Sequence, residues 1–293
     1  MPTADTRVQV VSVGEVRVRP DNIAGTWRPM LWWTLTSRTW SPWLPVNVVV
    51  IEHPRGTVLF DTGQDPASVG DPSYYPPGLL GWIYRRQAAF RFPDGHGLEE
   101  ALSVVGIAPS DVRTVVLSHL HQDHAGNVAV LPRADILLDP AELALLAERS
   151  PELHGVLPRH LDRDRLTPVR HTPLPDDALA PFTEGHDLYG DGTLVLLPTP
   201  GHSAGSMSLL VRRDALPPLL LVGDVTYDPA LLRAGRVPGT GARPVQQETA
   251  SRINALRERL PGLVVVAAHD PGAARLVAGA VGEDVPHDPD GDG

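Results

Sequence analysis

Residues 117–127 read Leu-Ser-His-Leu-His-Gln-Asp-His-Ala-Gly-Asn, which places His119, His121, Asp123 and His124 within six positions. Neutral imidazole nitrogen and carboxylate oxygen are the donors that borderline divalent metals such as zinc bind. Four of them this close exceed what one tetrahedral ion with an open position uses, so the cluster predicts two metal ions. In an extended segment residues i and i+2 point the same way, which lets His119 and His121 grip one ion together. Asp123 and His124 must then turn toward a second.

Three further positions share one grammar, a polar residue just beyond an apolar run. His202 follows residues 194–201, Leu-Val-Leu-Leu-Pro-Thr-Pro-Gly; Asp224 follows Leu-Leu-Leu-Val-Gly at 219–223; His269 follows Val-Val-Val-Ala-Ala at 264–268. Each alone is a weak signal, because strands often end on a polar residue. Together with the cluster they form a set of donors at the carboxyl ends of strands, where open α/β sheets place their chemistry. The remaining seven histidines, among them His53, His154 and His160, are read as ordinary polar residues.

The elements that must position these donors follow from periodicity and punctuation. Apolar runs broken by Gly or Pro predict strands at 7–17, 46–52 and 56–61, the last two joined as a hairpin. A helical period ending on glycine spans 97–106 and feeds a β-branched strand at 112–117. Strand 134–138, helix 140–149, strands 193–198, 206–212 and 218–223, helix 247–260 and strand 263–267 complete the order. Strands in both halves with helices interspersed predict an α/β fold in which two mixed β-sheets pack face to face with helices outside, a four-layer sandwich. One domain is expected over 1–282, with 283–293 a disordered acidic tail. Segments 20–45 and 64–95 are expected to be loops near the substrate pocket. Five of the six tryptophans, Trp27, Trp32, Trp33, Trp40 and Trp43, fall within 17 residues there, and either pack a loop down or line an apolar pocket.

Composition removes several classes. The 293 residues carry 25 Lys+Arg against 35 Asp+Glu, a formal charge of −10, so no net basic field exists to attract nucleic acid or an anionic membrane. Cysteine is absent, so no thiolate serves as nucleophile and any metal site is built from histidine and carboxylate. Residues 1–20 contain Asp5, Arg7, Glu15, Arg17 and Arg19 with no sustained apolar stretch, so no secretory signal is expected. A cytoplasmic protein is the expectation.

With these residues in hand, the chain resembles the metallo-β-lactamase superfamily, whose pattern His-x-His-x-Asp-His, His, Asp, His is matched by His119, His121, Asp123, His124, His202, Asp224 and His269. The resemblance implies an αβ/βα sandwich and two divalent ions per chain, with Zn2+ expected. It assigns His119, His121 and His202 to the first ion and Asp123, His124 and His269 to the second, with Asp224 between them. It makes Asp61 of the Asp61-Thr62-Gly63 turn a residue that steadies a ligand loop. Within the superfamily the likeness is to the N-acyl-homoserine lactonases, through Leu44-Pro45-Val46, Val58-Leu59-Phe60-Asp61-Thr62-Gly63, Thr199-Pro200-Gly201-His202-Ser203 and Tyr227 three residues beyond Asp224. Two positions depart from that group: Gln122 stands where an aromatic is common, and Ser206 where a second histidine often follows.

That likeness implies a quorum-quenching hydrolase that opens a lactone bearing an apolar acyl chain, by attack of a hydroxide held between the two ions. Tyr227 would donate a hydrogen bond to the developing oxyanion and Asp123 would carry a proton to the leaving alkoxide, making these two the catalytic side chains. A monomer or homodimer is expected. The alternatives are a dinuclear hydrolase acting on a thioester or a phosphodiester, the latter needing an arginine clamp for which Arg85, Arg86 and Arg91 are candidates, or a broad-specificity lactonase. A metal-stabilised binding protein without turnover is the alternative from outside the enzymes.

Overall fold

A computed structural model describes residues 6–93 and 97–281; the tail expected at 283–293 lies outside them. Seven strands form the first sheet: β1 (Arg7–Val18), β2 (Leu44–His53), β3 (Gly56–Phe60), β4 (Ala88–Arg91), β5 (Val112–Val116), β6 (Asp135–Leu138) and β7 (Leu166–Pro168), in the order β4-β1-β2-β3-β5-β6-β7. Six form the second: β8 (Thr172–Pro173), β9 (Glu184–Asp187), β10 (Leu194–Pro198), β11 (Met207–Val211), β12 (Leu219–Leu221) and β13 (Val264–Val266), in the order β13-β12-β11-β10-β9-β8. Both sheets are mixed. β3, β5, β6 and β7 run parallel, as do β12 and β13, while β1 to β3 and β9 to β12 are joined antiparallel.

Strands β2, β10, β11 and β12 read as near-continuous apolar runs because both of their faces are buried. Along β2, Val49 and Ile51 face the layer between the sheets while Val48 and Val50 face outward. In β10 the alternation is Leu194 and Leu196 inward, Val195 and Leu197 outward, and Leu219 and Leu221 oppose Leu220 in the same way in β12. The outer face of the first sheet is covered by helix Leu98–Val104 through Leu98, Ala101 and Leu102, and by helix Pro140–Leu146 through Leu145 and Leu146. The outer face of the second is covered by helix Arg243–Arg259 through Ala250, Ile253 and Leu256. Helix, sheet, sheet, helix is the four-layer αβ/βα arrangement expected from the sequence.

Segments 20–45 and 64–95 differ from the loops expected there. They contain helices Pro20–Ala24, Met30–Thr36, Ala67–Gly70 and Leu79–Gln87, and strand β4. Helices of four to nine residues are too short to display a 3.6-residue pattern and are held by packing rather than propensity, here the helix at 30–36 against that at 79–87. The tryptophans divide between packed and exposed positions. Trp33 is buried, and Trp40 and Trp43 lie against the guanidinium groups of Arg17, Arg19 and Arg91, whereas Trp27 and Trp32 are 84% and 57% exposed. Strands β7, β8 and β9 are likewise short and polar, and no sequence pattern marks them. Among the described residues no helix is long and apolar enough to cross a membrane.

The two sheets meet where the donors emerge. Met207 N donates to Ser118 O at 2.9 Å and Asn47 N to Ala268 O at 2.9 Å, tying strand ends of opposite sheets together. Gly223, at φ +54°, passes so near that a Cβ there would stand 2.7 Å from the Ser118 side chain. Only glycine fits.

Candidate metal centre

All seven donors expected from the sequence converge at this seam. His119, His121, Asp123 and His124 follow β5, with His121 capping a four-residue helix, Gln122–Ala125. His202 follows β10, Asp224 lies in a turn after β12 and His269 follows β13. Their nitrogen and oxygen atoms form three groups, each within 4.8 Å: His119, His121 and His202; Asp123, His124 and His269; and His119, His124 and Asp224. Asp224 is central. Its Oδ1 is 3.3 Å from His124 Nε2 and 3.2 Å from His269 Nε2, and its Oδ2 is 3.4 Å from His202 Nε2. Asp123 reaches His269 Nε2 at 3.5 Å and His124 Nε2 at 3.9 Å.

Buried polar atoms are normally hydrogen-bonded. Here His119 Nε2, His124 Nε2, His269 Nε2 and Asp224 Oδ1 are buried without a hydrogen-bond partner and face one another. Four orphaned donors of the nitrogen and oxygen type are what a divalent cation needs, so the residues fit a metal.

The charges balance in the same sense. Burial, reinforced by the neighbouring imidazoles, holds the His119 pKa well below its usual value, and burial pushes His202 down to about 3. Both are therefore neutral. Burial also opposes charging of His124 and His269, but Asp224 in both cases, joined by Asp61 and Asp123 at His124 and by Asp123 at His269, outweighs it and raises their pKa. Asp224 pays the burial penalty yet stays ionised, because His269 and His124 hold it well below the usual carboxylate range.

A surrounding set of groups aims these donors. Asp61 Oδ2 accepts from His124 Nδ1 at 2.8 Å and from Ser118 Oγ at 2.9 Å, and Asp61 Oδ1 accepts from Ser118 N at 2.7 Å. Pro45 O lies 2.9 Å from His269 Nδ1 and His154 O 3.0 Å from His121 Nε2, which turns the opposite nitrogen of each ring toward the centre. Glu142, fully buried, accepts from Leu120 N at 2.9 Å, from Gly205 N at 2.8 Å and from Ser203 Oγ. One carboxylate thus clamps the His119–His121 segment to the His202 loop. Sequence reasoning missed Glu142, although one signal was available: it precedes Leu145 and Leu146 by three and four positions, on the core face of an amphipathic helix. Asn22 and Thr240 were also missed and carry no local signal.

Tyr227 lies beside the donors. Its hydroxyl is 3.3 Å from Asp224 Oδ2, and its ring stacks on His269 with centroids 5.0 Å apart and planes at 20°. Burial raises the phenol pKa well above its usual value, so it remains a proton donor. The arginines considered as a phosphate clamp are engaged elsewhere: Arg85 with Gly81 O and Pro72 O, Arg86 with Leu35 O and Ser37 O, Arg91 with Glu15. Gln122 accepts from Gln64 Nε2 at 3.1 Å, and Ser206 Oγ accepts from Ser203 N at 3.0 Å, a structural bond in place of a second histidine.

The model of the metallo-beta-lactamase superfamily matches residues 41–269, most of the chain. The chain belongs to the metallo-beta-lactamase superfamily. Among relatives in that superfamily, the N-acyl homoserine lactonase AttM of Azorhizobium caulinodans is 31% identical over 236 residues, covering 78% of this chain and 83% of its own length. The N-acyl homoserine lactonase AiiB of Agrobacterium fabrum is 30% identical over 204 residues, covering 66% of this chain and 68% of its own length. The fold is shared with an N-acyl homoserine lactone hydrolase solved with the product N-hexanoyl-L-homoserine at its catalytic metal centre, at a TM-score of 0.72 and 19% identity over 92% of this chain and 95% of that one.

Proposed function

We propose that this member of the metallo-beta-lactamase superfamily is a metal-dependent hydrolase that opens the ring of N-acyl homoserine lactones. The observation that carries this reading is the Tyr227 hydroxyl, held protonated beside Asp224 and His269, in a chain about 30% identical to named lactonases over most of its length. His119, His121 and His202 would hold one divalent ion and Asp123, His124 and His269 a second, with Asp224 shared; the donor set suits Zn2+. When bound, such ions supply Lewis acidity toward a carbonyl oxygen and lower the pKa of water from about 15.7 to near 7, which provides a nucleophile without a side-chain base.

The chain's own residues do the rest. As the carbonyl carbon becomes tetrahedral, Tyr227 donates to the developing oxyanion, a contact worth about 2–4 kcal/mol where water is excluded. The bond from that carbon to the ring oxygen then breaks, and Asp123 delivers the proton that the departing alkoxide needs. Its side chain is 16% exposed, against 4% for Asp224, so of the two carboxylates it is the one placed to exchange protons with solvent. The product is an N-acyl homoserine.

The substrate is a small lactone with an apolar acyl chain. We place the protein in the cytoplasm as a monomer or homodimer without nucleic-acid or membrane partners; its charge of −10 supports the absence of those partners. The test is a panel of lactones, thioesters, phosphodiesters and a β-lactam on purified protein of known metal content. Lactone opening with about two ions per chain is expected. Phosphodiester cleavage without lactone opening would overturn the assignment.

A further inference from the structure

Asn22, in the short helix Pro20–Ala24 and 205 residues from Tyr227 in sequence, joins Tyr227 to His202 by a hydrogen-bond chain. Its Nδ2 donates to the Tyr227 hydroxyl at 3.1 Å, and its Oδ1 accepts from Thr240 Oγ1 at 2.8 Å. Thr240 Oγ1 lies 3.3 Å from His202 Nδ1. A threonine hydroxyl has one proton. Since Thr240 gives that proton to Asn22, His202 must donate from Nδ1, which leaves its Nε2 lone pair facing the donor cluster. The run from His202 through Thr240 and Asn22 to Tyr227 therefore has a single polarity.

We propose that Asn22 is a positioning residue for the reaction: by donating to the Tyr227 oxygen it occupies one lone pair of the phenol and sends the phenolic proton toward the Asp224 side, where the substrate oxyanion would form. The inference rests on the reading of Tyr227 as the oxyanion donor. The reverse polarity would require His202 to accept at Nδ1 and carry its proton on Nε2, 3.4 Å from Asp224 Oδ2 and 3.1 Å from His121 Nδ1. Such a histidine has no lone pair left for a metal. Ligand competence at His202 and the direction of the Tyr227 proton are thus the same choice, read out at two ends of one chain.

The placement of Asn22 is built into the backbone. Asn22 N donates to Arg19 O at 2.8 Å and Gly239 N to Asn22 O at 2.9 Å. The two segments approach so closely that a Cβ at Gly239 would stand 2.2 Å from Asp21 O and one at Gly25 2.3 Å from Val237 O. Loop 237–242, which carries Thr240, is itself held by Gln246 Nε2 on Thr240 O at 2.6 Å.

A double-mutant cycle on an N-acyl homoserine lactone separates this role from a structural one. Asn22→Leu should lower kcat about 10- to 100-fold with KM within about threefold and metal content unchanged. In the Tyr227→Phe background the same substitution should cost less than about twofold, because the proton it directs is gone. Thr240→Val, which keeps volume, should reproduce the loss and Thr240→Ser should restore activity, so the test survives if Asn22→Leu loosens the helix. Nitrogen-15 histidine spectra of the metal-free protein supply a readout besides turnover: His202 should carry its proton on Nδ1 in wild type and lose that preference in Thr240→Val. An equal loss from Asn22→Leu in both backgrounds, no loss in either, or an unchanged His202 tautomer overturns the inference. Full activity in Tyr227→Phe alone would instead overturn the reading on which it rests.

Discussion

Asp61 Oδ2 sits 2.8 Å from His124 Nδ1, both side chains are buried, and Asp61 adopts a φ of +65° to reach that position. A left-handed conformation costs a non-glycine residue on the order of 1–2 kcal/mol, least for Asp and Asn, whose short polar side chains bond locally. The contact retained at that cost fixes which nitrogen of His124 faces the centre.

Asp61→Asn preserves the shape and tolerates the left-handed backbone, but its amide cannot accept from Ser118 N, Ser118 Oγ and His124 Nδ1 together. Metal affinity should fall about 10- to 100-fold. Competition against a chromophoric chelator measures it, and wild-type affinity would show that the contact does not set the ligand.

Asp224→Ala should remove metal occupancy and turnover together, because Asp224 lies within 3.4 Å of His124, His202 and His269 alike. Elemental analysis beside a lactone assay decides the matter. Activity retained with bound metal would mean that the shared position is misassigned.

Glu142→Ala leaves Leu120 N and Gly205 N without their acceptor in a buried site, and frees the part-buried Ser203 Oγ. At about 1–3 kcal/mol for each of the two unsatisfied buried donors, the loss should be on the order of 2 kcal/mol or more. Calorimetry should show Tm lowered by roughly 4 °C or more. A Tm within a degree of wild type would contradict the clamp.

Metal uptake should release protons, because the pKa values of His124 and His269 are raised in the metal-free fold while those of His119 and His202 are lowered. The sign follows: the raised groups must lose protons to bind, so apparent affinity rises with pH. Titration calorimetry in buffers of different ionisation enthalpy should give heats that track the buffer. Heats independent of buffer would refute the proton release.

The donors themselves were legible in the sequence because they come as one cluster and three single residues, all beyond apolar strands, and a strand buried on both faces writes itself as an uninterrupted run of Val, Leu and Ile. The four layers followed from the same runs. What the sequence hid depends on pairs far apart in the chain. Asn22 has meaning only beside Tyr227 and Thr240, and it lies in a segment whose five-residue helix shows no period. Glu142 differs, since a carboxylate on the leucine face of its helix is an inconsistency visible in the sequence itself.

Because His119 and His269 belong to strands of different sheets, the centre does not exist in any contiguous part of the chain. During synthesis at about 5–20 residues per second, a ribosome needs roughly 8–30 s to travel from one to the other. For that interval Asp123 and His124 lack His269, the third member of their group. The seam between the sheets therefore orders events in time: the group of Asp123, His124 and His269 is complete only after the last strand, so a cation held there would lock a chain that has already closed.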